Sequence, residues 1–285
     1  MATTAGITTS TSSTGWHPDQ TFYAPVDFIP EALVMQTSTI AGDVDGDQAV
    51  CRVPYIKDSG DNGNGATPKA ELELLDDDRP ELAEVEIRTT KVGRLATIST
   101  EQFEKEGTAA QLAASFCRDI ARRADVALLG GIADRIVGLR DLPGATEAAA
   151  PITGNLDSLV DLLAELEVAG ATPSAVLLDP RSWAVLRKLK TGADRNDTLL
   201  SSGATDTAPQ LLGLPVLRSR FMPPGAGIVI DKRELISAVG QVRVAQSEHA
   251  QFNRDGVVIR ATFRFGWAVP RPDRIGRFTV GTGKK

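Results

Sequence analysis

Histidine and cysteine are almost missing from this chain, which has two of each in 285 residues. His17 and His249 have no motif partner, so neither a histidine base nor a histidine metal ligand is expected. Cys51 and Cys117 match no metal or redox spacing and read as small buried hydrophobes in a reducing compartment. No run of 18 apolar residues occurs, which argues against a transmembrane helix. The N-terminus lacks the basic and apolar regions of a secretion signal, so synthesis in the cytosol is expected. Positive charge is also short. Lys and Arg number 31 against 37 Asp and Glu, and the net charge of −6 is the wrong field for gripping nucleic acid or a membrane surface. A GxSxG elbow, a phosphate-cradling glycine loop, HExxH and the dinucleotide fingerprint are all lacking, so no catalytic motif and no cofactor site is read.

What the chain does have is one long helical stretch, Ser99 to Leu139, and a hydrophobic fraction of 42%, enough for a real core. Ser99 with Gln102, and Thr108 with Gln111, have capping-box spacing, and Gly107 separates them. The main helix is expected to start at Thr108, with Leu112, Phe116, Ile120, Ala124, Leu128 and Ile132 recurring every four residues. About 30 residues at ~1.5 Å each predict a rod on the order of 45 Å. Its alanine-rich stripe suits packing on a sheet, and Gly130-Gly131 near its end suggests close packing.

Residues 1–15 are Met, Ile7 and small uncharged residues, an arm that cannot fold alone, and Trp16 to Ile29 reads as extended chain. Asp43, Asp45 and Asp47 have the start of a calcium-loop pattern. Gln48 stands where the turn needs Gly, and Pro54 stands where a bidentate Glu is needed, so a solvated turn is expected. Ala49 to Lys57 reads as a strand, Asp58 to Pro68 as a glycine-rich tip, and Lys69 to Thr90 as the return of a long hairpin. That hairpin has few large apolar side chains to bury within its own subunit. Between Glu71 and Glu86 the return strand carries eight acidic residues, Glu71, Glu73, Asp76, Asp77, Asp78, Glu81, Glu84 and Glu86, against Arg79 alone.

After the helix, Pro143 to Pro151 reads as a linker. Leu156 to Ala169 is an amphipathic helix, Ala175 to Leu178 a short buried strand, and Asp179-Pro180 opens a helix through Lys190 with Pro at its first position. Thr191 to Pro209 is a polar loop, and Val216–Leu217, Gly227–Asp231 and Leu235–Ala245 read as strands. Together these form an α/β unit of about 95 residues. Gly256 to Val269 alternates strictly, with Val257, Ile259, Ala261, Phe263, Phe265, Trp267 and Val269 on one face and Arg260, Thr262 and Arg264 on the other, and the long helix is its natural cover.

This order of parts resembles the major capsid proteins of tailed bacteriophages with the Hong Kong 97 (HK97-like) fold. It is carried by "LATISTEQFEKEGTAAQLAASFCRDIARRADVALLGG", "AVLLDPRSWAVLRKLK" and the segment from "LLGLPVLRSRF" to "FRFGWAVPRPDRIGRF". The resemblance covers about residues 20 to 280. It implies an α+β fold with an N-terminal arm over 1–48 and an extended β-hairpin loop over 49–90. It implies a peripheral domain over 91–153 and 245–285, with a spine helix on an antiparallel sheet, and an axial α/β domain over 154–244. The implied function is structural, not enzymatic: pentamers and hexamers in an icosahedral shell that encloses double-stranded DNA without reading its sequence.

The implied place is the capsid of the virion, made in the bacterial host cytoplasm, with no membrane partner and no cofactor or metal. No helical scaffolding segment precedes the arm, so scaffolding would be a separate protein or already removed; portal and cement proteins would also be separate. Some members join a hairpin lysine to an asparagine under a glutamate. Here Asp255 and Thr262 stand at those two positions, so no crosslink is expected and Lys57 and Lys69 stay free amines. The competing readings are an encapsulin-type cellular shell of the same fold and an α/β hydrolase with scattered carboxylates. Residues 254–285 carry eight basic and two acidic side chains. The expected contacts between subunits therefore set Glu71, Glu73, Asp76, Asp77 and Asp78 against Arg271, Arg274 and Arg277.

Overall fold

The computed structural model describes residues 20–56, 71, 74, 82–132, 135–190, 198, 200 and 209–281. In chain order the elements are β1 (Gln20–Tyr23), α1 (Pro25–Phe28), α2 (Leu33–Thr37), β2 (Thr39–Asp43), β3 (Val50–Ile56), β4 (Leu82–Ser99), α3 (Thr100–Phe103) and α4 (Thr108–Gly130). They continue as β5 (Thr146–Glu147), α5 (Asp157–Val168), β6 (Ala175–Leu178), α6 (Pro180–Arg187), β7 (Gln210–Leu211), β8 (Leu214–Arg218), β9 (Ala226–Ile230), β10 (Ile236–Val239), β11 (Val242–Gln251), β12 (Gly256–Ala268) and β13 (Gly276–Thr279).

The alternating strand β12 is the axis of a seven-stranded sheet. It pairs antiparallel with β4 through Gly256–Gly266, with β11 through its first half, and with β10 through Phe265–Ala268. Beyond these, β1 adds to β11 and β2 runs parallel to β10. The residues that alternation assigned to the inner face of β12, from Val257 to Trp267, are all buried. Phe263, Phe265 and Trp267 stack along the strand at ring distances of 5.1 and 5.7 Å, contacts worth about 0.5–1.5 kcal/mol each beyond area burial.

Helix α4 covers this face. Phe116, Ile120, Ala124 and Leu128 are buried in the same cluster as Phe263 and Phe265, as the four-residue period requires. Arg94 of β4 fastens the helix, with its Nη1 2.6 Å from Asp119 Oδ2 and 2.7 Å from Ser115 Oγ, and its guanidinium 4.8 Å above the Phe116 ring.

The ends of α4 differ from expectation. Ser99 does cap α3, accepting the Gln102 N–H at 3.3 Å. Thr108 is already helical, and the cap is Gly107 at φ 82°, whose carbonyl takes the Gln111 N–H. The helix stops at Gly130, so it has 23 residues and spans about 35 Å, not 45 Å. Gly131 ends it at φ 75°, and a Cβ there would lie 2.6 Å from the backbone of Ile136 and Gly138. The periodic apolar residues beyond, Ile132 and Ile136, turn back on each other instead of extending the rod.

A six-stranded sheet of order β5-β13-β9-β6-β8-β7 forms the second layer. Both its faces are covered. Leu177, Ile228 and Ile230 join the α4 core, while Val176, Leu178 and Val229 face Leu159, Leu162 and Leu166 of α5 and Trp183 and Leu186 of α6. This is why β6 reads as a continuous apolar run. Asp179 caps α6 by accepting the Arg181 and Ser182 N–H groups, with Pro180 at the first position as expected.

Three readings are corrected. The stretch Trp16 to Ile29 is not plain extended chain where it is described: Gln20–Tyr23 is a strand on β11 and Pro25–Phe28 one helical turn. The Pro143–Pro151 linker contains β5, parallel to β13. Leu235–Ala245 is split by Gly240 into β10 and the start of β11, both in the first sheet, whereas β13 near the C-terminus crosses back to the second. Alternation shows which face of a strand is buried but not which sheet it joins.

Candidate assembly interface

Strands β3 and β4 form an antiparallel hairpin from Val50↔Arg88 to Ile56↔Leu82, after which β4 continues into the first sheet. Its root is packed: Cys51, Val85 and Ile87 cluster with Val44 and Ala238. Gly42 lets the strands close, since a Cβ there would lie 2.7 Å from Cys51 Sγ. The other face is charged, with Arg52 3.8 Å from Glu84 and Arg88 3.7 Å from Glu86, both solvent-exposed pairs. Farther out, Leu82 is 76% exposed and Leu74 88%. Glu71 is exposed. Glu73, Asp76, Asp77, Asp78, Lys57, Lys69 and the arm at 1–15 lie outside the described residues.

The three arginines named as contacts have partners in their own subunit. Arg271 Nη2 and Arg274 Nη1 lie 2.9 and 2.8 Å from Oε1 of Glu234, whose side chain is only 4% exposed. Arg274 Nε also donates to the carbonyl of Ala169 at the end of α5. Arg277 reaches Glu147 at 2.5 Å and donates to the Arg140 carbonyl. Glu234 sits in the connection from β9 to β10, and the arginines 271 and 274 sit in the connection from β12 to β13. One buried carboxylate therefore ties together two crossings between the sheets. Sequence gave no sign of it, because Glu234 lies in a polar turn with no motif.

Outward from the first sheet, opposite α4, the register aligns Leu95 with Arg260, Gly93 with Thr262 and Arg243, and Lys91 with Arg264. The turn at residues 43–47 supplies Asp47 to this basic face, 3.5 Å from both Lys91 and Arg264. Asp255, at φ 50°, accepts the Thr100 N–H through its carbonyl and the Thr100 hydroxyl through Oδ1. Thr262 is half-buried against Gly93. Neither residue is part of a lysine–amide–carboxylate arrangement among the described residues.

Two half-buried titratable groups lie on α4, Asp125 and Cys117, the latter less buried than its sequence setting suggested. Asp125 accepts the Leu33 N–H at 2.7 Å and so caps α2, where Ala32 has no side-chain oxygen to offer. Burial pushes this carboxyl up to about 6, partly offset by that hydrogen bond. Burial also raises the Cys117 thiol, and both cysteines are free. Among the described residues no cluster of three or more His, Cys, Asp or Glu could hold a metal, and no helix is long and apolar enough to cross a membrane. His249 is an exposed residue of β11, and His17 lies outside the described residues.

A hairpin on a helix-covered sheet, followed by a second sheet with two helices, matches the arrangement that the resemblance implied. The chain is similar in structure to Gordonia phage Cozz, at 19% identity over 97% of this chain and 92% of the other, with a TM-score of 0.64. It resembles the capsid of a native GTA particle, at 18% identity over 98% and 96% with a TM-score of 0.63. It also resembles Mycobacterium phage Adephagia, at 14% identity over 89% and 91% with a TM-score of 0.61. No curated protein matches the chain in sequence. The phage capsid family matches residues 32–279, and the chain belongs to that family. It is a shell-forming major capsid protein of the HK97-like fold, and its place is the capsid of the virion. The family is a structural class, and neither the cellular-shell nor the hydrolase reading is favoured by this match.

Proposed function

We propose that this subunit assembles into pentamers and hexamers that close an icosahedral shell around double-stranded DNA, and that it is made in the cytoplasm of the bacterial host. The first sheet with α4 serves as the peripheral domain, the second sheet with α5 and α6 as the axial domain, and residues 49–90 as the extended loop. DNA is enclosed without sequence reading, in keeping with a net charge of −6.

The observation that carries this reading is the hairpin itself. Its root is buried, its outer leucines Leu74 and Leu82 are exposed, and its return strand is strongly acidic. Such an element gains its packing on a neighbouring copy, where charge complementarity sets register more than raw affinity. Glu234 and Glu147 already hold Arg271, Arg274 and Arg277, which leaves these arginines only their outer flanks for a neighbour. Lys91, Arg243 and Arg260 on the outward sheet face give the acidic run a second target.

Reversing Asp76, Asp77 and Asp78 to Lys should block shell formation at low salt. Adding Lys91→Glu and Arg260→Glu should partly restore it. Shells of the parent should weaken towards ~1 M salt, where the screening length is about 3 Å. A triple reversal that assembles as well as the parent would show that the run is only a solvated face.

A further inference from the structure

The two helices that cover the second sheet carry opposite charge on their outer sides. Helix α5 has four carboxylates, Asp157, Asp161, Glu165 and Glu167, and no basic residue. Helix α6 has Arg181 and Arg187, followed by Lys188, and no acidic residue. All seven side chains are exposed. Between the carboxylates runs an apolar stripe at four-residue spacing: Val160 is 48% exposed, Ala164 is exposed and Val168 is 90% exposed. Ala184 is exposed between the cations of α6. Among the described residues, Asp161, Glu165, Glu167, Arg181 and Lys188 enter no ion pair.

The helices occupy opposite ends of one face. Helix α5 packs on β5 and β13, which start the strand order, whereas α6 belongs to the crossover from β6 to its parallel neighbour β8, near the other end. A subunit therefore presents an acidic, apolar-striped ridge at one end of this face and a basic, alanine-centred ridge at the other. A two-fold contact through α5 would set four carboxylates against four and is disfavoured; a head-to-tail contact satisfies both ridges and repeats around a ring.

We infer that α5 of one subunit docks on α6 of the next copy around the capsomer, with Val160, Ala164 and Val168 against Ala184 and the α5 carboxylates beside Arg181 and Lys188. This rests on the shell-forming reading and names a contact within it.

The test compares four full-length chains at low salt by sedimentation velocity and electron microscopy: the parent, Asp161→Lys with Glu165→Lys, Arg181→Glu with Lys188→Glu, and all four changes together. Each double reversal should lower the capsomer population by about tenfold, the factor for roughly 1.4 kcal/mol, and the quadruple variant should recover it. Parent-like assembly by either double reversal, or no recovery in the quadruple, overturns the contact. If a reversed chain fails to fold, as read by circular dichroism, Val168→Cys with Ala184→Cys decides: a short bismaleimide should give a ladder ending at five or six chains in assembled protein, absent with Val168→Cys alone. An assembled double-cysteine protein without a ladder also overturns it. A parent that never leaves the monomer counts against the shell reading, and the contact falls with it; a parent that assembles beside unaffected reversals removes the contact alone.

Discussion

Nη1 of Arg274 lies 2.8 Å from Oε1 of Glu234, and this pair joins the β9–β10 crossing to the β12–β13 crossing between the two sheets. With Arg271 on the same carboxylate, the orientation of one sheet on the other depends on a buried charge that two guanidinium groups compensate.

Glu234→Ala should therefore destabilise the subunit by about 3–5 kcal/mol, because it removes the buried carboxylate that two partly buried guanidinium groups share. Urea unfolding followed by circular dichroism measures this. A loss below ~1 kcal/mol would mean that the pair is a bystander to sheet packing.

Asp125 makes the tie between α2 and α4 pH-dependent. Its carboxyl sits at about 6 in the folded chain against an ordinary 3.8, so the folded state binds the proton more tightly than the unfolded state. The sign follows from linkage: its favourable contribution is complete below pH 3.8 and is lost as pH rises through about 6. Asp125→Asn, which keeps an oxygen for the Leu33 N–H, should gain on the parent by on the order of 2 kcal/mol as pH rises across this window. Melting curves at pH 4 to 7 should converge at the acid end and separate at the neutral end. Parallel curves would place this carboxyl in solvent.

Particles should carry no covalent crosslinks, since Asp255 offers no amide and Thr262 no carboxylate to take a lysine proton. A denaturing gel of assembled particles should show a single band near 30.2 kDa. A ladder of multimers would contradict this.

The legible parts of the fold are those governed by one local period. The four-residue spacing of Phe116, Ile120, Ala124 and Leu128 and the two-residue spacing of Val257 to Trp267 both turned out to be buried faces of a shared core. Asp179-Pro180 marked a helix start because cap and first-position Pro act within a few residues. The failures were non-local. Helix α4 ends at Gly131 because Gly138 returns to its backbone, and β10 and β13 choose their sheets through partners more than 20 residues away. The assembly surface was half legible: the acidic run is plain in the sequence, but the pairing of Arg271 and Arg274 with Glu234 depends on two chain crossings that meet only in three dimensions.

The central claim, that this chain closes into a shell, is tested most directly by negative-stain electron microscopy of the purified, full-length protein at low salt. Closed particles built of five- and six-membered capsomers are expected. A monodisperse monomer at every concentration, with no capsomers or particles, would contradict it.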